Sequence, residues 1–259
     1  MSKGSRNKQA ARERIARQRA EQARRRRRRI WAGATAAAAV LTAAAVSIVL
    51  AVTSGGSAAA SFASPRLSLA PLSALGTVKP APGPGALGSE NVPVPTATPL
   101  ASTATEATGR PVDQIGCQLG EQTLFHIHAH LAIFVNGGAR QIPAGIGIPG
   151  AQAEETANGP FIAAGTCFYW LHTHAADGII HIESPVQRTY TLGEFFDEWG
   201  QPLGPGRAGP AVGRVVALYD GKVYRGNPRD IPLTRHAEIQ LDVGTPLIAP
   251  QPVTFPAGL

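Results

Sequence analysis

Between Trp31 and Val52 the chain runs for 22 residues without a charged side chain, directly after the unbroken run Arg24 to Arg29. About 20 apolar residues of helix cross the hydrocarbon core of a bilayer. A single transmembrane helix over residues 31–52 is therefore the expectation, with Trp31 at the interface. Dense arginine on one flank and almost none on the other orients it: residues 1–30 form a basic cytoplasmic tail, and all that follows lies across the membrane. The competing reading is a cleaved export signal, since Ala58-Ala59-Ala60 offers a small-residue cleavage site.

The formal charge of +7 would suit a nucleic-acid binder if it were spread over the chain. It is not. Residues 1–30 carry thirteen Lys and Arg against two Glu, whereas residues 113–259 hold eight basic and thirteen acidic side chains. The basic character belongs to the tail, where it meets anionic lipid rather than DNA or RNA. The expected location is the cell membrane, single-pass, with the C-terminal domain extracytoplasmic.

Residues 53–112 are rich in Ala, Pro, Ser, Thr and Gly, as in Pro80-Ala81-Pro82-Gly83-Pro84-Gly85, and carry few large apolar side chains. Such a composition reads as a disordered linker of about 60 residues, with a mean span of about 45 Å. Residues 113–259 then make one domain of ordinary size. On that outer side Cys117 and Cys167 are expected to pair, closing a loop of about 51 residues worth roughly 4 kcal/mol on the chain-entropy model.

The domain reads as α+β, mainly β. Strand patterns end at turn dipeptides: Leu124 to Val135 at Asn136-Gly137, Leu171 to Ala176 at Asp177-Gly178, and Val215 to Tyr219 at Asp220-Gly221. Ala237, Ile239, Leu241 and Val243 alternate with polar residues as in a half-buried strand. One short helix is expected where Thr191-Leu192-Gly193-Glu194 forms a capping box and Gly200 and Pro202 stop the run. Its acids Glu194, Asp197 and Glu198 suit a helix N-terminus and a solvent face. Gly145-Ile146-Gly147-Ile148-Pro149-Gly150 matches no phosphate-binding spacing, so no nucleotide cofactor is expected.

All seven histidines lie in this domain, five of them in two clusters, His126-Ile127-His128-Ala129-His130 and His172-Thr173-His174. A spacing of two on a strand puts side chains on one face with Cα atoms about 7 Å apart. The opposite face of the first strand, from Phe125 through Ile127, Ala129, Leu131 and Ile133 to Val135, is wholly apolar and is the core face. If Asp177-Gly178 centres a two- or four-residue turn, His174 faces His181 and His172 faces Glu183 on one side of the hairpin. His126, His128, His130, His172, His174, His181 and Glu183 are thus the candidate metal ligands, with His236 an ordinary strand residue.

After Met1 there is no methionine, and both cysteines are expected to be paired, so soft-ligand copper sites lack their parts. Imidazoles with a carboxylate suit Zn²⁺ or Cu²⁺, or Fe²⁺ in a two-His-one-carboxylate set. Glu183 can ligate directly or orient His172. Three functions stay open: metal binding, a metal-dependent hydrolase or oxidoreductase in which Glu183 is base or ligand, and an adhesion or scaffold module with incidental histidines. A protein partner is not readable.

Phe168-Tyr169-Trp170-Leu171-His172-Thr173-His174 resembles the Trp-x-His-x-His strand of multicopper oxidases. Those enzymes need eight histidines and a His-Cys-His segment; this chain has seven and none, so their activity does not carry over. A broader resemblance, over most of residues 117–243, is to a family of exported or membrane-anchored bacterial and archaeal His-rich proteins. It is carried by His126-Ile127-His128-Ala129-His130-Leu131, Ile142-Pro143-Ala144-Gly145-Ile146-Gly147-Ile148, Leu171-His172-Thr173-His174, Gly178-Ile179-Ile180-His181-Ile182-Glu183 and Thr191-Leu192-Gly193-Glu194-Phe195-Phe196-Asp197. The resemblance implies an exported domain and no particular activity.

Overall fold

Alternating side chains sort this chain into two faces of one twisted sheet. The computed structural model describes residues 67–103 and 108–259, all within one compact unit, Ala63–Leu259. The basic tail, the expected span at 31–52 and the start of the expected linker lie outside the described residues. Among the described residues no helix is long and apolar enough to cross a membrane. The early strands are β1 (Leu69–Ala70), β2 (Cys117–Gln118), β3 (Phe125–Val135), β4 (Gly138–Arg140), β5 (Gln152–Thr156), β6 (Gly159–Ala164), β7 (Phe168–Tyr169), β8 (Leu171–His172), β9 (Ile179–Ser184) and β10 (Tyr190–Thr191). After helix α1 (Leu192–Glu198) come β11 (Leu203–Gly204), β12 (Arg207–Ala208), β13 (Ala211–Val212), β14 (Val215–Tyr219), β15 (Lys222–Tyr224), β16 (Pro232–Leu233) and β17 (Glu238–Val243). The mainly β expectation holds.

The principal sheet runs β1-β15-β14-β17-β3-β9-β8, with β4 folded back on β3. All of its pairs are antiparallel except β17 with β3. Two of the expected turns form as read. Asn136 and Gly137 both take positive φ between β3 and β4, and Asp220 and Gly221 do so between β14 and β15, the geometry that matches strand twist in a two-residue hairpin.

One face of the sheet is apolar throughout. Ile127, Ala129, Leu131 and Ile133 of β3 join Ile180 and Ile182 of β9, Ile239, Leu241 and Val243 of β17, and Leu171 of β8 in a single core cluster. Phe195 and Phe196 of α1, with Trp199 at its C-terminal cap, complete that cluster and are fully buried. Each contributes on the order of 2–3 kcal/mol by leaving water. The helix begins as expected: Thr191 Oγ1 accepts from the Glu194 amide at 3.3 Å and Glu194 Oε2 accepts from the Thr191 amide at 2.8 Å. Arg188 pairs with Glu194 and Arg229 with Asp197. Glu198 departs from the solvent-face expectation. It is wholly buried, and burial, then the charges of Glu194 and Asp113, raise its carboxyl well above the ordinary range.

The other face is not left to solvent, which corrects two expectations. Strand β17 is buried on both sides: Gln240 is 5 % and Asp242 1 % exposed. The Gln240 side chain donates to the Ile248 carbonyl and Asp242 accepts from the Ile248 amide. The described part of the expected linker is also laid against the domain. Leu69 pairs with Tyr224, Lys79 bridges Ile248, Pro99 bridges Gln141, and Leu100 enters the core. Trp199 Nε1 donates to the Ser102 carbonyl at 2.8 Å. Composition misses this because the segment supplies few apolar groups of its own. It is held by backbone hydrogen bonds to edges that the domain offers.

Cys117 and Cys167 are joined, with Cα atoms 5.5 Å apart, where β2 pairs with β7.

Candidate metal centre

Three adjacent strands carry histidine on the second face, and register decides which meet. In β3 against β9, His126 lies opposite Glu183 and His128 opposite His181; in β8 against β9, His172 lies opposite His181. One row across the sheet is therefore His172, His181, His128, and the next places Glu183 beside His126. The expected pairing of His174 with His181 and His172 with Glu183 is displaced by two residues, so the faces survive while the partners change. The cause is that β8 ends at His172. Thr173 turns away to pair with the glycine-rich loop, donating to the Ile146 carbonyl and accepting from the Gly145 amide, while its hydroxyl donates to the Pro143 carbonyl. Asp177-Gly178 closes the end of a wider loop, with Gly178 O accepting from the Leu131 amide.

That glycine-rich loop positions the candidate ligands. Gly145 and Gly147 both have positive φ, and a Cβ at Gly147 would run into the Leu171 carbonyl and the His172 side chain. His174 is fixed from the β6 side. Its Nδ1 is 2.6 Å from the Ile162 carbonyl, the Ile162 amide donates to the His174 carbonyl, and the Phe161 ring stacks on its imidazole.

Hydrogen bonding also decides which ring nitrogens are free. A carbonyl only accepts, so Nδ1 of His174 is a donor, as is Nδ1 of His172 at 2.8 Å from the Tyr169 carbonyl. In the neutral rings both Nε2 atoms then carry lone pairs. They face each other at 3.1 Å in the interior, His172 being 0 % and His174 2 % exposed. Backbone carbonyls that fix tautomer and ring orientation are the usual partners of metal-bound imidazole.

On the β3 side four donors close a ring. His126 Nε2 is 3.0 Å from His128 Nε2, His128 Nε2 is 3.1 Å from His181 Nδ1, His181 Nδ1 is 3.3 Å from Glu183 Oε1, and Glu183 Oε1 is 3.1 Å from His126 Nε2. Ligand bonds of 2.0–2.1 Å give donor separations of about 2.9 Å for a square-planar ion and about 3.3 Å for a tetrahedral one, so these spacings suit either. The buried cluster could hold a metal ion as two groups: His126, His128, His181 and Glu183; and His172, His174, His181 and Glu183.

His130 shares the face but not the cluster. Its Nε2 is 2.9 Å from the Asp177 carbonyl, and it belongs to neither group. His236 is exposed, stacks on Phe255 and has positive φ in the turn before β17.

Two carboxylates join from outside the expected ligand set. Glu90 Oε1 lies 2.8 Å from His181 Nε2, and Glu121 Oε1 lies 3.6 Å from His174 Nε2. Glu90 sits at the tip of a small loop in which Gly88 donates to the Val92 carbonyl and Val94 to that of Ala86. It is the only acid between residues 53 and 105, the one signal by which it could have been found.

Charge is concentrated on one ring. Burial, then the neighbouring His181, pulls His128 down to about 3, and burial also lowers His172 and His174. Burial pulls at His181 too, but hydrogen bonds and charge from Glu183 and Glu90 outweigh it and raise the ring to about 9. Without metal the cluster therefore keeps its positive charge between two carboxylates. No protein-family model, curated protein or solved structure matches the chain, so the chemistry of these residues carries the functional reading.

Proposed function

We propose that the domain binds a divalent transition metal, Zn²⁺ or Cu²⁺, through its clustered histidines, and does so outside the cytoplasm on a single-pass anchor. The observation that carries this is the pair of buried Nε2 lone pairs of His172 and His174, facing each other at 3.1 Å with both Nδ1 atoms committed to carbonyls. Two such lone pairs repel unless a cation lies between them. The donor set of imidazole and carboxylate suits a borderline ion and lacks sulfur for Cu(I). The Cys117–Cys167 bridge suits an oxidising compartment. The long resemblance to exported His-rich proteins and the lipid-facing arginine tail belong to the same proposal.

Titration of the chelator-stripped full chain with Zn²⁺ and with Cu²⁺ tests it. His174→Ala should weaken binding by at least tenfold and His236→Ala should leave it unchanged. Equal, negligible effects would reduce the histidines to incidental groups.

One observation favours a second reading, a metal-dependent enzyme. His126 is the most exposed of the clustered histidines, at 38 %, and lines an open groove with Leu124, Arg188 and Arg235. A groove at a ligand gives an exchangeable coordination position, with Glu183 as base. Water exchange at the bound metal, read by relaxation of solvent protons on the Cu²⁺ form, decides between the two; a closed coordination sphere removes the enzyme.

A further inference from the structure

The two groups of donors have His181 and Glu183 in common, while the pairs His126/His128 and His172/His174 never fall in the same group. Register explains the separation. His128 and His172 stand on either side of His181 in one row, and with strands about 4.8 Å apart their backbones are about 10 Å apart.

Resting on the metal-binding reading above, the geometry points to a dinuclear centre. One divalent transition-metal ion sits on the β3 side, held by His126 and His128. A second sits on the β8 side, held by His172 and His174. His181 and the Glu183 carboxylate lie between them and are shared.

Two observations favour two ions over one, and a third accommodates them. The first is donor number. His126, His128, His172, His174, His181 and Glu183 are six ligands, and four-coordination is the norm for Zn²⁺. The second is that both shared residues are bifunctional. His181 turns Nδ1 toward His128 and Glu183, and Nε2, on the other side of the ring, toward Glu90. Glu183 uses Oε1 on the β3 side, while its Oε2 is buried and has no hydrogen-bond partner among the described residues. An orphaned buried carboxylate oxygen costs free energy that a cation would restore. The third is charge. Glu90, Glu183 and Glu121 all come within 3.6 Å of a cluster histidine. With neutral imidazoles, one divalent ion leaves these three carboxylates at −1 and two leave them at +1, so charge accommodates the second ion as well as the first. Glu121, 43 % exposed beside His174, stands at the open end of the second position.

The test uses the chelator-stripped full chain in detergent, titrated with Zn²⁺ alone and read by native mass spectrometry. Two equivalents per chain are expected, and both should persist in His236→Ala. His128→Ala should lose one equivalent and keep the other, and His172→Ala likewise. The wild-type protein loaded with two equivalents of Cu²⁺ offers a readout that needs no substitution: the two spins should couple and the isolated Cu²⁺ resonance should lose most of its intensity. A single equivalent with an uncoupled signal would overturn the dinuclear centre and leave metal binding intact, as would a second equivalent that vanishes in His236→Ala. No uptake at all would overturn the metal-binding reading itself.

Discussion

In the absence of metal, the protein should reveal an acid-sensitive histidine that lies outside the clustered histidines and Glu183. His130 is 8 % exposed, its Nε2 is 2.9 Å from the Asp177 carbonyl, and burial holds it down at about 4 against an ordinary value of 6.5. The unfolded chain protonates this ring from about pH 6.5 downward, while the folded chain resists until about pH 4. Stability from His130 is therefore complete above 6.5 and is lost as pH falls through that window. The gap, at 1.36 kcal/mol per pH unit and with half-protonation allowed for at pH 4, amounts to about 3 kcal/mol. Asp177 runs the other way. Burial, then the charge of Glu90, raises its carboxyl from 3.8 to about 7, so its contribution is complete below 3.8 and is lost as pH rises through 7. The opposed terms flatten the wild-type profile, and the histidine must be read by difference. Urea unfolding of the chelator-treated protein at pH 7 and pH 4, wild type against His130→Gln, isolates it, since the glutamine amide can still donate to the Asp177 carbonyl but does not titrate. The variant should lose about 3 kcal/mol less than wild type over that range. Profiles that agree to within about 0.5 kcal/mol would refute the neutral, buried ring.

Reduction of Cys117–Cys167 should lower the unfolding free energy by roughly 4 kcal/mol, read as an earlier urea midpoint; an unchanged midpoint, or two thiols titratable without reductant, would remove the bridge. Gly147→Ala should destabilise the fold by about 2 kcal/mol or more and weaken Zn²⁺ uptake, because the added methyl runs into the Leu171 carbonyl beside His172. Gly221→Ala, at nearly the same φ but facing open space, should cost only about 1 kcal/mol and spare the metal. Thr191→Ala removes the cap of α1 and should cost about 1 kcal/mol, visible as a fall in Tm.

The parts of this domain that could be read from sequence are those decided by neighbours along the chain. The capping box of Thr191 and Glu194, the turns at Asn136-Gly137 and Asp220-Gly221, and the apolar face of β3 each depend on a few consecutive residues, and each stands as expected. The histidine face was legible for the same reason, because alternation survives any even shift of register. The partners were not. Which residue His172 faces depends on where β8 stops, and that is decided by Thr173 pairing with the loop at Gly145 and Ile146, 27 or more residues away. His130 illustrates a subtler limit: it shares the face of His128, yet the Asp177 carbonyl captures its ring one row further on. Glu90 and Glu121 lay beyond reach because neither segment has a periodicity to say where it packs.

The run from Leu69 to Ser102 redraws the smallest piece of this chain that can be expected to fold. A recombinant domain cut at residue 113, where composition changes, would lack the strand that pairs with β15, the carbonyl that accepts from Trp199, the Leu100 side chain in the core and the carboxylate on His181. The exposed sheet edge at β15 would be a template for association with other copies, and a buried imidazole would lose one of its two anionic neighbours. Such a fragment would report on metal affinity, oligomeric state and solubility, and all three readings would be wrong for the same reason. A fragment beginning at Ala63 keeps these contacts and is the one to express.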